Sequence, residues 1–119
     1  MTITTQDVIA SYYDALKQKG AWDAVLAEDM LFTSFTSPVK RVKGRAAYLE
    51  ATKRFYSMIK GLEIRGMIVE GDRACVLTRY DLRAPAGPAF ESHVAEVFNV
   101  RDGKITSFDI YFDSAPFPK

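Results

Sequence analysis

The sequence predicts an α+β domain, with helices near the N-terminus segregated from an antiparallel sheet that follows them. Three observations carry this expectation. Apolar residues recur at helical spacing in residues 5–19 and 45–60. After Gly61 the chain reads as successive strands bounded by turn residues. Gly71-Asp72 and Asp102-Gly103 are spaced to close two of those strand pairs as tight hairpins.

The first helix is expected over residues 5–19. Thr4 with Asp7 three places on has the pattern of a capping box. Val8, Ile9, Tyr12, Tyr13 and Leu16 fall on one face, Lys17 and Lys19 suit the last turn, and Gly20 suits the stop. Residues 21–27 read as a second, shorter helix, with Trp22 and Val25 three apart. Residues 30–35 read as a short strand, and residues 37–43 as a polar loop carrying Lys40, Arg41 and Lys43. Gly44 precedes a third helix over residues 45–60, with Tyr48, Thr52, Phe55 and Ile59 on one face and Gly61 as its end. Strands are expected at 62–70, 73–84, 89–100 and 105–113. Pro85-Ala86-Gly87-Pro88 cannot continue a ladder and must loop, and residues 114–119 form a tail. Long strands with apolar residues on both faces suggest a sheet that curls, one face packing on helices or a partner subunit and the other enclosing a pocket.

Length and composition narrow the function. The 119 residues make a single domain over residues 1–119, long enough to bury a core without crosslinks. Sixteen basic against fifteen acidic residues leave a net charge of +1, which argues against a nucleic-acid or polybasic membrane binder. Cys75 is the only cysteine, so no internal disulfide forms, and its run Ala74-Cys75-Val76-Leu77 reads as a buried thiol. The N-terminus lacks the basic and apolar regions of a signal peptide, and no run approaches the ~18 apolar residues of a membrane helix. A cytoplasmic location is expected. There is no glycine-rich phosphate loop, so no cofactor is expected. A lone His93 among scattered carboxylates lacks the spacing of a metal site.

Strand alternation sorts the candidate residues. Arg79 and Asp81 share a face two residues apart. An arginine beside a carboxylate keeps it ionised and oriented, which suits acid–base work or a substrate clamp; an ion pair facing water is the alternative. His93 is the one side chain whose ordinary pKa suits proton transfer near neutrality, with a hydrogen-bonded wall residue as the alternative. Tyr12 and Tyr13 offer phenols to a pocket or to the core. Trp22, Phe55, Met58 and the stripe Phe108, Ile110, Phe112 read as core that in a cone-shaped fold also walls a ligand. On the short strand, Phe32 and Ser34 share a face.

The chain as a whole resembles the nuclear transport factor 2-like superfamily, in its SnoaL-like branch. The residues that carry the resemblance are Tyr12-Tyr13-Asp14-Ala15-Leu16, Trp22-Asp23, Glu28-Asp29, Gly44-Arg45, and above all Glu96-Val97-Phe98-Asn99-Val100-Arg101-Asp102-Gly103-Lys104-Ile105. Their order and spacing span about residues 5–113. The resemblance implies a cone: a curved antiparallel sheet packed with three helices around a deep apolar pocket, in a dimer.

The superfamily hosts several chemistries, so the residues must decide. Arg79-Tyr80-Asp81-Leu82-Arg83-Ala84 is similar to the Arg-x-Asp strand of limonene epoxide hydrolases, in which an arginine bridges a proton-donating and a water-activating aspartate. The resemblance puts the second aspartate at Ile110, and the water-holding tyrosine and asparagine at Phe32 and Ser34, so that mechanism is not intact. For ketosteroid isomerases it puts the oxyanion tyrosine at Tyr12, the base aspartate at Ser34 and the protonated aspartate at about Ala95. Polyketide cyclases use acid–base residues in the same pocket, a role open to Asp81 with His93 or Arg79.

The leading expectation is a dimeric domain that binds a small apolar molecule and acts on it by acid–base catalysis as an isomerase, cyclase or hydrolase. Asp81, Arg79 and His93 are its catalytic candidates. Tyr12, Trp22, Phe32, Ser34, Phe55, Phe108, Ile110 and Phe112 are its candidate ligand wall. The competing expectation is a non-catalytic ligand-binding or assembly module, motivated by the residues missing at Ile110, Ser34 and Ala95.

Overall fold

The computed structural model describes residues 3–36 and 38–117. Ser37 of the expected loop, Pro118 and Lys119 of the expected tail, and Met1 and Thr2 lie outside the described residues.

Helix α1 spans Thr5–Lys17. The capping box forms: the Asp7 backbone N–H donates to Thr4 Oγ1 at 3.0 Å, and the Thr4 N–H donates to Asp7 Oδ2 at 3.1 Å. The helix closes earlier than expected. The Gly20 N–H reaches Ala15 O at 2.8 Å and the Lys19 N–H reaches Leu16 O at 3.2 Å, the paired bonds of a Schellman end. Lys19, not Gly20, takes the left-handed position, with φ 56°.

Among the described residues two α-helices are present where three helices were expected. Residues 21–27 shrink to a single 3-10 turn, Trp22–Val25, because Leu26 is drawn into the sheet opposite Ile105. Strand β1 therefore runs Leu26–Ser34, longer than expected. The polar loop is also corrected. Lys40–Lys43 is strand β2, hydrogen-bonded to β1 from Leu31↔Lys43 to Ser34↔Lys40. Its three exposed bases mark a sheet edge, where charge deters pairing with another chain. Helix α2 spans Arg45–Met58, after Gly44 at φ 96°. Gly61 does not end it. Ile59 already begins strand β3, Ile59–Glu70.

Strands β4 (Arg73–Arg83), β5 (Ala89–Arg101) and β6 (Lys104–Phe112) complete a meander. Asp102 and Gly103 both have positive φ, the combination that a twisted two-residue hairpin turn demands. The six strands form one sheet in the order β2-β1-β6-β5-β4-β3. The sheet is mixed, not wholly antiparallel: β1 and β6 run parallel, which their separation by α2 and four strands allows. Bulges between Ile59 and Gly61 and between Ile64 and Gly66 in β3, and at Thr106 in β6 opposite Asn99/Val100, locally strengthen the twist of the sheet.

The core lies between the inner face of this curved sheet and the helices. From α1 come Val8, Ile9, Tyr12, Tyr13 and Leu16; from α2, Tyr48 and Met58; from the sheet, Met30, Val76, Tyr80, Leu82, Phe98 and Phe108. Edge-to-face ring contacts tie α1 to the sheet, with Tyr12 at 5.9 Å from Phe98 and 6.0 Å from Phe108.

Candidate functional site

Strand parity decides which side chains can meet a ligand. In β4 the buried set is Ala74, Val76, Thr78, Tyr80 and Leu82, so Cys75, Leu77, Arg79 and Asp81 face outward. In β5 the buried set is Ser92, Val94, Glu96, Phe98 and Val100, so Glu91, His93, Ala95, Val97 and Asn99 face outward.

Between the inner face and α2 lies a cavity of about 390 Å³. Phe32 and Ser34 come from β1, Tyr48, Phe55 and Tyr56 from α2, Tyr80 from β4, Val94 and Glu96 from β5, and Phe108, Ile110 and Phe112 from β6. Phe117 closes one side, its ring 5.2 Å from Phe112 and 6.4 Å from Phe55. Lys40 and Arg54 also line it. The volume suits a small molecule, and an apolar wall with a few polar groups is the usual make-up of such sites.

Glu96 is the acidic side chain of that wall, and it is 3 % exposed. Val94, Phe98 and Val100 flank it on the same strand face. Its Oε1 accepts from the Tyr13 hydroxyl at 2.6 Å and the Tyr80 hydroxyl at 2.8 Å, and its Oε2 accepts from Tyr80 at 3.0 Å. The Thr78 hydroxyl in turn donates to Tyr13 Oη at 3.5 Å. Burial pushes the Glu96 carboxyl above the usual carboxylate range; the hydrogen bonds from Tyr13 and Tyr80 favour the anion and partly offset this. Tyr13 and Tyr80 titrate well above the ordinary phenol value, first because they are buried and then because Glu96 lies beside them.

A second hydroxyl chain runs beside the carboxyl. Tyr12 and Tyr56 share a hydrogen bond of 2.7 Å, and Tyr56 shares another with Tyr48. A phenol has one proton to give, so Tyr56 donates to one neighbour and accepts from the other. All three phenols are raised well above the ordinary value by burial and stay protonated near neutral pH. The cavity thus holds one carboxyl able to keep or release a proton, and phenols able to bind a substrate oxygen.

Of the residues expected to wall a ligand, Phe32, Ser34, Phe55, Phe108, Ile110 and Phe112 line this cavity. Tyr12 touches it through the Tyr56 hydroxyl. Trp22 lines a different cavity, on the far side of Tyr56. Arg79, Asp81 and His93 do not line either cavity; they gather on the outer face. Arg79 Nη2 lies 3.4 Å from Asp81 Oδ2, Nη1 lies 3.9 Å from Glu63 Oε1, and Nε lies 3.9 Å from Glu91 Oε1. His93 Nε2 lies 3.9 Å from Glu91 Oε2, with its side chain 60 % exposed. Asp81 and Glu91 stand directly opposite in register, and Arg79 neutralises the like charges that meet there.

Glu96 was within reach of the sequence. A glutamate with Val94, Phe98 and Val100 two and four places away along one strand face signals a buried carboxyl. The resemblance put a protonated carboxyl at about Ala95, which faces outward; one residue on, Glu96 puts a carboxyl inside. Among the described residues no cluster of three or more His, Cys, Asp or Glu side chains is placed to hold a metal ion. Among them, too, no helix is long and apolar enough to cross a membrane.

The chain matches the SnoaL-like domain family over residues 9–108. No protein with a curated description matches it. It is similar to a nuclear transport factor 2-like protein of unknown function from Cytophaga hutchinsonii, at 21 % identity over 98 % of this chain and 96 % of that one, with a TM-score of 0.77. A Mesorhizobium loti protein provisionally named a SnoaL-like polyketide cyclase is 20 % identical over 93 % of this chain and 99 % of its own, with a TM-score of 0.74. A Catenulispora acidiphila protein with a ketosteroid isomerase-like fold, solved with trimethylamine, is 20 % identical over 92 % and 88 %, also with a TM-score of 0.74. At these identities the likeness establishes a shared fold.

Proposed function

The chain belongs to the SnoaL-like domain family, and from that premise we propose that it binds a small, largely apolar carbonyl compound in the cavity under α2 and moves a proton on it through Glu96. The observation that carries this reading is a single carboxyl, 3 % exposed, raised by burial and set in the wall of a cavity of about 390 Å³. A base raised toward neutrality is better matched to a weak carbon acid than an ordinary carboxylate. Ionised Glu96 takes a proton from the carbon beside the carbonyl. The electron pair moves onto the carbonyl oxygen, which Tyr48 or Tyr56 stabilises by hydrogen bonding. The same carboxyl then returns the proton, to a different carbon in isomerisation, or to the alkoxide oxygen formed when the enolate closes onto a second carbonyl. Isomerisation and intramolecular aldol closure are the two reaction classes this supports. Arg79, Asp81 and His93 take no catalytic part in this reading.

The test is exchange of solvent deuterium into a panel of small cyclic ketones, followed by NMR. The parent chain accelerates exchange for at least one ketone. Glu96→Gln lowers that rate by about 100-fold or more while binding changes little, the usual size of a lost general base. Asp81→Asn matches the parent. Equal rates for Glu96→Gln and the parent overturn the assignment.

A second reading has its own support. Tyr13 and Tyr80 already occupy both Glu96 oxygens, as they would in a fixed structural network within a binding protein. Ketones that bind without exchange in either chain favour it. For both readings we propose a homodimer formed through the outer face of the sheet. Leu77, Ala95 and Tyr111 make one cross-strand row there, and Leu77 and Tyr111 are 46 % and 47 % exposed.

A further inference from the structure

A second cavity, of about 420 Å³, opens between the C-terminal end of α1 and the start of β3. We propose that it is a separate binding site for a small aromatic carboxylate, a flat ring carrying one anionic group. Lys17, Lys19 and Lys60 line it together with Trp22 and Tyr56, and no aspartate or glutamate does. The chain as a whole holds sixteen basic and fifteen acidic residues, so three cations without an anion around one cavity is a local excess. Concave, low-dielectric walls concentrate such a field.

An ordinary structural duty accounts for at most one of the three lysines. Lys17 lies in the last turn of α1, where a cation suits the helix end. Lys19 lies beyond the helix, and Lys60 comes from β3. The helix-end carbonyls of Ala15 and Leu16 are already capped by the Gly20 and Lys19 backbone N–H groups. Among the described residues none of the three lysines joins an ion pair or a side-chain hydrogen bond. Lys104, by contrast, donates to Ala24 O at 2.7 Å. The Asp81 carboxylate beside Gly61 belongs to the outer face and is held by Arg79.

The aromatic half of the ligand follows from the apolar part of the wall. The Trp22 indole stacks on the Tyr56 ring, with centroids 3.9 Å apart and planes 19° apart. A flat ring can extend this stack or meet it edge-on, while its carboxylate reaches the lysines. A ring with one carboxylate is well within the size of the cavity.

Trp22 is the only tryptophan, so its emission reports on this cavity. The experiment titrates the intact chain with benzoate and, separately, with benzyl alcohol. Benzoate is expected to change the emission saturably and to bind more tightly than the alcohol. Its affinity falls about threefold to tenfold in the double variant Lys17→Gln/Lys60→Gln, as loss of exposed ionic contacts should produce. It also falls as salt rises from about 0.05 M to about 0.5 M. Glu96→Gln leaves it unchanged. Both lysines are exposed, so far-UV circular dichroism should show the double variant folded like the parent. No saturable change with benzoate, equal binding of the alcohol, or loss of binding in Glu96→Gln with retention in the lysine variant each overturns the proposal.

Discussion

Glu96 is ionisable yet 3 % exposed, and both its oxygens accept hydrogen bonds from the buried phenols of Tyr13 and Tyr80. Burial raises its carboxyl above the usual range, more than those bonds lower it. The unfolded chain titrates the same group near the ordinary glutamate value of about 4.3. Between that value and the raised one, the native state holds a proton that the unfolded state has released. The group's favourable contribution is therefore complete below the unfolded value and is lost as pH rises through the folded one. Glutamine keeps the shape and carries no charge. Glu96→Gln is expected to gain stability relative to the parent as pH rises from about 4 to about 8. Urea midpoints measured across that range check it, and two parallel curves would show that Glu96 titrates like an exposed glutamate. The same residue shows where sequence reading stops. Chemical type drew attention to Asp81, Arg79 and His93, whereas parity sets the site. Glu96 is an ordinary glutamate until Tyr13 from α1 and Tyr80 from β4 are brought onto its two oxygens.

Within elements, local signals worked where they were complete in themselves. The Thr4/Asp7 box needs only three residues of spacing, and it forms. Asp102-Gly103 needs only its own two dihedrals, and both are left-handed. Signals failed where a distant strand outbid them. The helix expected at residues 21–27 gives way because Leu26 pairs with Ile105, a partner far along the chain. Lys40–Lys43 becomes a strand through a nearer partner, since the preceding strand β1 supplies its ladder. The end of α1 is a milder case. Gly20 is the residue suited to a left-handed stop, yet the structure places Lys19 there at φ 56°. A side chain in that conformation costs about 1 kcal/mol that glycine avoids. Lys19→Gly is therefore expected to raise the unfolding free energy by about 0.5–1 kcal/mol, seen as a higher urea midpoint at unchanged slope. The same change removes one of the three lysines around the second cavity. A stabilised variant with weaker benzoate binding would show strain retained at a position where the charge is used.

At the scale of the molecule, the sheet has two faces and the helices cover only one. The outer face carries the Arg79 cluster and, beside it, the row Leu77, Ala95, Tyr111 across β4, β5 and β6. Phe35 extends that row, stacked on Tyr111 with centroids 4.7 Å apart. Leu31 on β1 adds a further exposed apolar side chain at 39 %. Scattered apolar residues on a surface need no explanation, but a contiguous apolar row on an uncovered sheet does. A twofold axis through the row would set Leu77 and Tyr111 of one protomer against the same surface of the other, since a twofold contact uses one patch twice. The ion pairs of Arg79 with Glu63, Asp81 and Glu91 would then lie within or beside the interface, where a polar rim is usual. The chain is therefore expected to sediment as a dimer at about 10 µM, a concentration at which an interface of ordinary size is formed. Leu77→Glu, which places an unpaired charge in the apolar row of each protomer, should yield a monomer with an unchanged far-UV spectrum. Leu77 is 46 % exposed in the single chain, so loss of fold is not the expected route to that result. A parent chain that sediments as a monomer, or a Leu77→Glu chain that remains a dimer, would remove this face from the assembly and leave its apolar row without a partner.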